Sequence, residues 1–326
     1  MLDKHRLTLL PGFWRRFFLA RDFIIIQLAS TTRIRYDNFA GIFAGKRLVL
    51  KHMKNDPILA DIKQDANSLP YFLWEEMGFR FGDKGTHTSR TIMLEELSLL
   101  LHECSEDASR DDYIKAIVDY NCLGKRTAAT RRLSCQRMRE LYGLDPSLLI
   151  FRVLRYCWYA DEKGRPLLAL LTAMARDPLL RITSLTILRM KPGDELARQV
   201  MTDELRQSIG NRLNDRTLDK VVRNASASWT KSGHLKGRVR KFRQKVVPTP
   251  VVTAYALLLG YLLGVRGPGL FKTLWTKVLD TSPEELISLA IDAKRLGLLD
   301  VCYSGGMVEV LVDRMLTENE RMLLRE

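Results

Sequence analysis

From Ser89 onward, apolar residues recur every three or four positions along most of the chain, the period of helices that bury one face. The pattern predicts helices over 91–104, 110–121, 127–141, 146–160, 166–176, 179–190, 194–209, 215–231, 235–246, 251–263 and 270–279. The breaks between them carry stop signals: Gly143 with Asp145-Pro146, Lys163-Gly164-Arg165-Pro166, Asp177-Pro178 and Lys191-Pro192-Gly193. Proline withholds an amide and fixes φ, while glycine admits the left-handed turn that ends a helix. A further helix starts at Ser282-Pro283-Glu284-Glu285, with a capping hydroxyl, proline in the first turn and acids where the helix dipole favours them, and it stops at Gly297. Alternating residues around Ser304-Gly305-Gly306 then predict a tight β-hairpin. No repeat of fixed period is present.

Residues 1–85 read differently. They hold aromatic clusters at Phe13, Trp14, Phe17 and Phe18 and at Tyr71, Phe72 and Trp74, and end in a loop marked by Gly78, Gly82, Asp83, Lys84 and Gly85. The expected division is a mixed extension over 1–85, a helical core with basic helices over 86–250, and a helix-plus-hairpin part of winged-helix type over 251–326. The fold class is all-α. At 326 residues, 46% hydrophobic and 28% charged, the chain has ordinary globular composition, which excludes a disordered or fibrous protein. Its longest apolar run, Val251 to Gly264, is 14 residues. A bilayer span needs about 20, so no membrane crossing is expected. The first residues show no apolar segment with a cleavage site, and the five cysteines are widely spaced with no CxxC pair. A reducing cytoplasm, with thiols serving as small hydrophobes, is the expected setting.

Charge sharpens this outline. The net charge is +14, and it is segregated: twelve Lys and Arg and no acid occur between residues 220 and 279, and six bases and no acid between 125 and 139. Laid on a helix, Leu218, Val221, Val222, Ala225 and Trp229 share one face, while Arg216, Lys220, Arg223 and Lys231 share the other. The segment after Gly233 shows the same spacing, with Leu235, Val239, Phe242 and Val246 on one side and Lys236, Arg238, Arg240, Lys241, Arg243 and Lys245 on the rest, ended by Pro248 and Pro250. Bases gathered this densely repel one another until a polyanion arrives, and phosphate backbones release counterions to them. These residues are therefore candidate phosphate contacts, against the plainer reading of a solvated helix face. Lys125, Arg126, Arg131 and Arg132 form a second candidate patch. For that patch, pairing with the nearby acids Glu103, Glu106, Asp107, Asp111 and Asp112 stands level with phosphate contact. Trp229 and Phe242 lie among bases, but their register with Leu and Val assigns them to packing ahead of base stacking.

The search for catalytic or cofactor chemistry returns little. Gly124-Lys125-Arg126-Thr127 has the tail of a phosphate-binding loop but Asp119 where its leading glycine belongs, so it reads as a helix start. His102-Glu103 lacks a second histidine, and the five histidines are scattered. Asp292-Ala293-Lys294 has the acid-x-Lys spacing of some nucleases but lies within a helix. No catalytic residue, metal, cofactor or small-molecule substrate is expected. The helix after Ser282 carries Glu284, Glu285 and Asp292 against Lys294 and Arg295, which favours packing or partner docking over DNA reading.

Three segments carry a resemblance to a known family: the helix TSRTIMLEELSLLL, the stretch DYNCLGKRTAATRRLSCQRMRELYGL, and the tail from LLGYLLG through WTKVLDTSPEELISLAIDAKRLGLLDVCYSGGMVEVLVD. From Thr88 to about Leu316 the chain resembles the BrxA family of BREX phage-defence systems. The resemblance implies an all-α domain with likeness to the antitermination factor NusB, an accessory role without catalysis, double-stranded DNA as ligand, and other defence-system proteins as partners. RNA binding through an arginine-rich surface, or docking of an acidic protein on the basic surface, are the other readings that the charge pattern leaves open.

Overall fold

The computed structural model describes residues 56–58, 71–82, 84–304 and 307–325, which fall within one compact unit, Val49–Glu326. Most of the expected 1–85 extension lies outside the described residues. The helices are α1 (Tyr71–Met77), α2 (Leu94–Glu103), α3 (Arg110–Val118), α4 (Ala128–Tyr142), α5 (Leu149–Ala160), α6 (Arg165–Arg176), α7 (Pro178–Arg189), α8 (Arg198–Ile209) and α9 (Asp215–Lys231). A short antiparallel pair follows, β1 (Leu235–Lys236) and β2 (Phe242–Arg243). Then come α10 (Pro250–Leu262), a 3-10 turn over Gly267–Lys272, α11 (Leu274–Lys277), α12 (Pro283–Arg295), the hairpin β3 (Asp300–Ser304) and β4 (Met307–Leu311), and α13 (Glu318–Arg325). The protein is mostly helical, as the periodicity predicts, with two small antiparallel hairpins, of which only the second is expected from the sequence.

Many of the helices begin where a short polar side chain can satisfy the first unpaired amides. Thr127 accepts from the amide of Thr130, Asn214 from Thr217, Thr249 from Val252 and Ser282 from Glu285, while Ser109 and Asp112 form a reciprocal capping box. Asp177 accepts from the amides of Leu179 and Leu180, with Pro178 in the first turn of α7. Such caps each contribute about 1 kcal/mol.

The core is organised around α10. Every residue from Val251 to Leu262 is buried, so the helix is apolar all round and needs partners on all sides. It packs against α5 and α6 on one side and α11 and α12 on the other. The Tyr255 hydroxyl donates to the carbonyl of Ile150 at 3.1 Å and meets Thr172 Oγ1 at 2.9 Å, tying α10 to α5 and α6. Residues on both sides of the expected boundary at 250 therefore share one core. Among the described residues no helix is long and apolar enough to cross a membrane.

One predicted helix is absent. Residues 235–246 form the β1–β2 hairpin, with Leu235 opposite Arg243 and Lys236 opposite Phe242. The apolar spacing fits a helix, but Gly237 has φ +121°, and a Cβ there would lie 2.0 Å from the carbonyl oxygen of Arg240. The chain reverses at a position that only glycine fills. The expected helix over 270–279 is shorter as well, split into the 3-10 turn and α11. The C-terminal hairpin expected around Ser304-Gly305-Gly306 is present, with Ser304 opposite Met307, and β3 packs on α12.

Buried polar groups fix how the helices meet. Asp177 Oδ2 accepts from the backbone amide of His87 and lies 2.8 Å from its Nδ1, and His87 Nε2 lies 2.8 Å from Ser228 Oγ on α9. Arg181, fully buried on α7, holds Asp56 with Nε at 2.8 Å and Nη2 at 2.6 Å. His234 precedes β1 and is fully buried, with Nε2 donating to the carbonyl of Val278 at 2.7 Å and Nδ1 facing Ser232 Oγ at 2.8 Å. Burial pushes its pKa down to about 4, against a partial opposing pull from the Val278 carbonyl.

That shift sets a pH dependence. Between the unfolded value of 6.5 and the folded value of about 4, the unfolded chain takes up a proton that the folded protein refuses. The contribution of His234 to stability is thus complete above pH 6.5 and falls with acidification toward pH 4, by about 1.4 kcal/mol per unit. Urea unfolding at pH 7, 6 and 5 should show this decline, and His234→Gln, although less stable at neutral pH, should show a shallower one. Equal slopes in both proteins contradict the assignment.

Candidate nucleic-acid interface

The basic face of α9 exists because the opposite face is core. Leu218, Val221, Val222, Ala225 and Trp229 are buried, and Trp229 Nε1 donates to Thr183 Oγ1 at 2.8 Å, so this ring packs inside and offers no stacking platform. Arg216, Lys220 and Arg223 are exposed along the outer face. Arg223 pairs with Asp219 at 3.1 Å, one turn earlier. Arg216 and Lys220 have no carboxylate partner among the described residues. At the end of the helix, the Lys231 ammonium binds Glu95 of α2. Burial works against ionisation of Glu95, but the lysine outweighs it and holds the carboxyl below its usual range.

The hairpin continues this surface. Lys236, Arg238, Val239 and Arg240 are exposed around its turn. Arg240 Nε lies 2.9 Å from both carboxylate oxygens of Glu195, and its guanidinium sits 5.4 Å from the centre of the half-buried Phe242 ring. Glu195 belongs to the α7–α8 connection, which adds a third edge to the hairpin: Gly193 N donates to Arg243 O at 2.8 Å and Leu196 N to Lys241 O at 2.7 Å. Lys241 closes the turn from beneath, its Nζ donating to Thr230 Oγ1 at 2.7 Å and Gly237 O at 3.2 Å. Burial and the neighbouring Arg198 push the pKa of that ammonium down.

Arg243 corrects the expectation. Counted from sequence among the phosphate-contacting bases, it is 3% exposed and points inward. Its Nε donates to Ile187 O at 3.1 Å and its Nη2 pairs with Asp280, whose other carboxylate oxygen accepts from Val246 N at 3.2 Å. A buried guanidinium in this cage cannot reach a phosphate. Lys245, two residues on, is exposed and has no carboxylate partner among the described residues.

The second patch divides in the same way. Lys125 pairs with Glu96 at 3.1 Å, and Arg131 donates to Val118 O at 2.8 Å, satisfying the carboxyl end of α3. Arg126 and Arg132 are exposed and, among the described residues, have no carboxylate partner. Arg137 pairs with Glu140 on its own helix. The acids Glu103, Glu106, Asp107 and Asp111 do not neutralise these bases, and Asp112 is spent on the α3 capping box. Lys231 and Lys125 instead converge on Glu95 and Glu96, neighbours in the first turn of α2. Each basic segment thus has one base tied to α2, Lys231 to Glu95 and Lys125 to Glu96.

One further constellation has the layout of a hydrolase triad, which no spacing in the sequence announces: Asp177, His87 and Ser228 in a row. None of the three is more than 1% exposed, and Ser228 Oγ also accepts from Ile92 N at 3.0 Å and lies 2.8 Å from Asn224 O. Nucleophilic attack needs an open face at the hydroxyl. Here the network is an anchor that holds α9 to the start of α7. A pocket of about 270 Å³ lined by His102, Cys104, Tyr159 and Arg165 lies elsewhere, and burial pushes the Cys104 thiol up to about 11, so it stays protonated and unreactive. Among the described residues no group of His, Cys, Asp and Glu is placed to hold a metal. In the Asp292-Ala293-Lys294 fragment, Asp292 pairs with Arg295 and Lys294 donates to Val301 O, both within the α12–β3 region. The sequence matches no protein-family model and no curated protein.

The division into inward and outward bases is measurable. Removing Arg243 leaves Asp280 buried without its partner, so Arg243→Ala should lose about 3–5 kcal/mol of stability. Arg238→Ala, in open solvent, should change it by no more than about 0.5 kcal/mol. Chemical unfolding of the two variants at pH 7 gives the comparison, and similar losses in both contradict the division.

Proposed function

We propose that this chain is a non-enzymatic binder of double-stranded DNA, holding the phosphate backbone with little regard for sequence through the outer face of α9, the β1–β2 hairpin and the second patch at Arg126 and Arg132. The observation that carries this reading is that Arg216, Lys220, Lys236, Arg238, Lys245, Arg126 and Arg132, all on or next to these elements, are exposed and have no carboxylate partner among the described residues. A folded protein keeps such a set unneutralised at a cost in self-repulsion that a polyanion relieves. From Arg216 to Lys231, α9 rises about 22 Å at 1.5 Å per residue, roughly the length of six to seven base-pair steps. The resemblance of residues 88–316 to the BrxA family supports duplex DNA as the polyanion, a NusB-like arrangement of the helices, and a place beside other proteins of a BREX-type phage-defence system. The acidic helix α12, with Glu284 and Glu285 exposed in its first turn, faces a different task and suits a protein partner.

Binding of this kind weakens steeply with salt, with a log–log slope near −0.9 per phosphate neutralised. Lys220→Glu combined with Arg238→Glu should therefore flatten the slope by about two units on a 20-base-pair duplex. Arg295→Glu, on α12, should leave it unchanged. An unaltered slope in the double variant removes these residues from the interface, and preferential retention of structured RNA at matched salt moves the ligand to RNA.

A further inference from the structure

The turn of the β1–β2 hairpin has a feature that phosphate binding leaves unused. Val239 is 78% exposed, standing between Arg238 and Arg240, both exposed. Water gains nothing from an apolar side chain held out between two cations, and of the strongly exposed valines, Val239 and Val247, it is Val239 that stands at the tip of the turn. The turn is also stiff. Gly237 lies against the carbonyl of Arg240, Lys241 ties the turn to Thr230 at the end of α9, and the strand behind it pairs on one side with β1 and on the other with residues 193–196. A rigid, narrow, cationic point with an apolar tip is thus fixed at one end of the basic stripe of α9.

We infer that this point, Arg238-Val239-Arg240, enters the minor groove of the DNA that α9 holds. The inference rests on the duplex-binding reading and specifies where one part of the surface goes. A two-stranded backbone, its axes about 4.8 Å apart with atoms beyond them, is too broad for a minor groove about 6 Å wide, so it is the side chains of the turn that enter. A ribbon lying in the wider major groove needs strands long enough to present a face, whereas β1 and β2 are two residues each. Electrostatics favour the minor groove, because a narrow groove concentrates negative potential and attracts arginine. Val239 then meets the groove floor. Over A·T pairs that floor carries acceptors and no amino group, so the methyls fit, whereas guanine N2 projects a donor that the valine can neither accommodate nor satisfy.

Arg240 begins this encounter bound to Glu195, which keeps its guanidinium over Phe242 and close to the turn. Arg238 has no such partner among the described residues and is the arginine that reaches furthest in.

Three 20-base-pair duplexes test the inference with the full chain: alternating A·T, alternating G·C, and alternating inosine·cytosine, which keeps the G·C hydrogen-bonding edge in the major groove but lacks the amino group in the minor one. The A·T and inosine·cytosine duplexes should bind alike and about tenfold more tightly than G·C, and the minor-groove ligand netropsin should displace the protein from A·T. Arg238→Ala with Val239→Ala, both exposed positions, should erase the preference, with binding to all three duplexes weakened to a common level by the lost cation and the melting temperature as in the parent. Equal, salt-steep binding of the three duplexes by the parent protein overturns groove entry and leaves the phosphate reading standing. Absence of retention on any duplex at low salt overturns both.

Discussion

The buried pair between Arg243 and Asp280 is the constraint on which the basic surface depends. A guanidinium taken out of water costs several kcal/mol unless its donors are met, and here the carbonyl of Ile187 and the Asp280 carboxylate meet them. Asp280 also accepts from Val246 N, so one acid receives both the side chain of β2 and the backbone that leaves it. His234, on the approach to β1, donates to Val278 O two residues away from that acid. The two ends of the hairpin are thereby clamped to one short turn between α11 and α12. Between the clamps Leu235 stays buried, while Lys236 to Arg240 face solvent.

This arrangement explains how a segment without a single acid from 220 to 279 folds at all. Its charges are treated in three ways. Arg243 is buried with an acid from just beyond the segment, Lys231 and Arg240 meet acids from α2 and the α7–α8 connection, and Lys220, Lys236, Arg238 and Lys245 remain open to solvent. The residual charge lies on the outer face of α9 and around the hairpin turn, with Lys272 and Lys277 exposed separately near α11. The buried Asp177–His87–Ser228 network serves the same end from the other side, since it fixes α9 to the start of α7 and so sets which face looks outward. A catalytic layout has here become a packing device because the fold closes over it.

Much of the helical frame was legible. The observed bounds of α9, Asp215–Lys231, match the predicted 215–231, because the structure ends it with local devices, the Asn214 cap and a left-handed Gly233. Ser282-Pro283 and Gly297 bracket α12 for the same reason. The hairpin was not legible, because Leu235, Val239, Phe242 and Val246 satisfy helical spacing while the partners that override it lie far away: Asp280 for Arg243 and Glu195 for Arg240. Local spacing placed Val239 on an apolar face, yet the fold leaves it in water. The outer stripe of α9 could be read from the chain alone. Which bases are neutralised could not, since Glu95 and Glu96 lie more than a hundred residues from Lys231 and far from Lys125 only in sequence.

The central claim is that the open bases of α9 and the hairpin turn, and not the helix-plus-hairpin at the carboxyl end, form the surface that meets DNA. Amide hydrogen exchange of the full chain, free and with a 20-base-pair duplex, addresses this directly. The account predicts slowed exchange over residues 236–241 and the last turns of α9, with α12, β3 and β4 unchanged. Slowing confined to α12, β3 and β4 would contradict it.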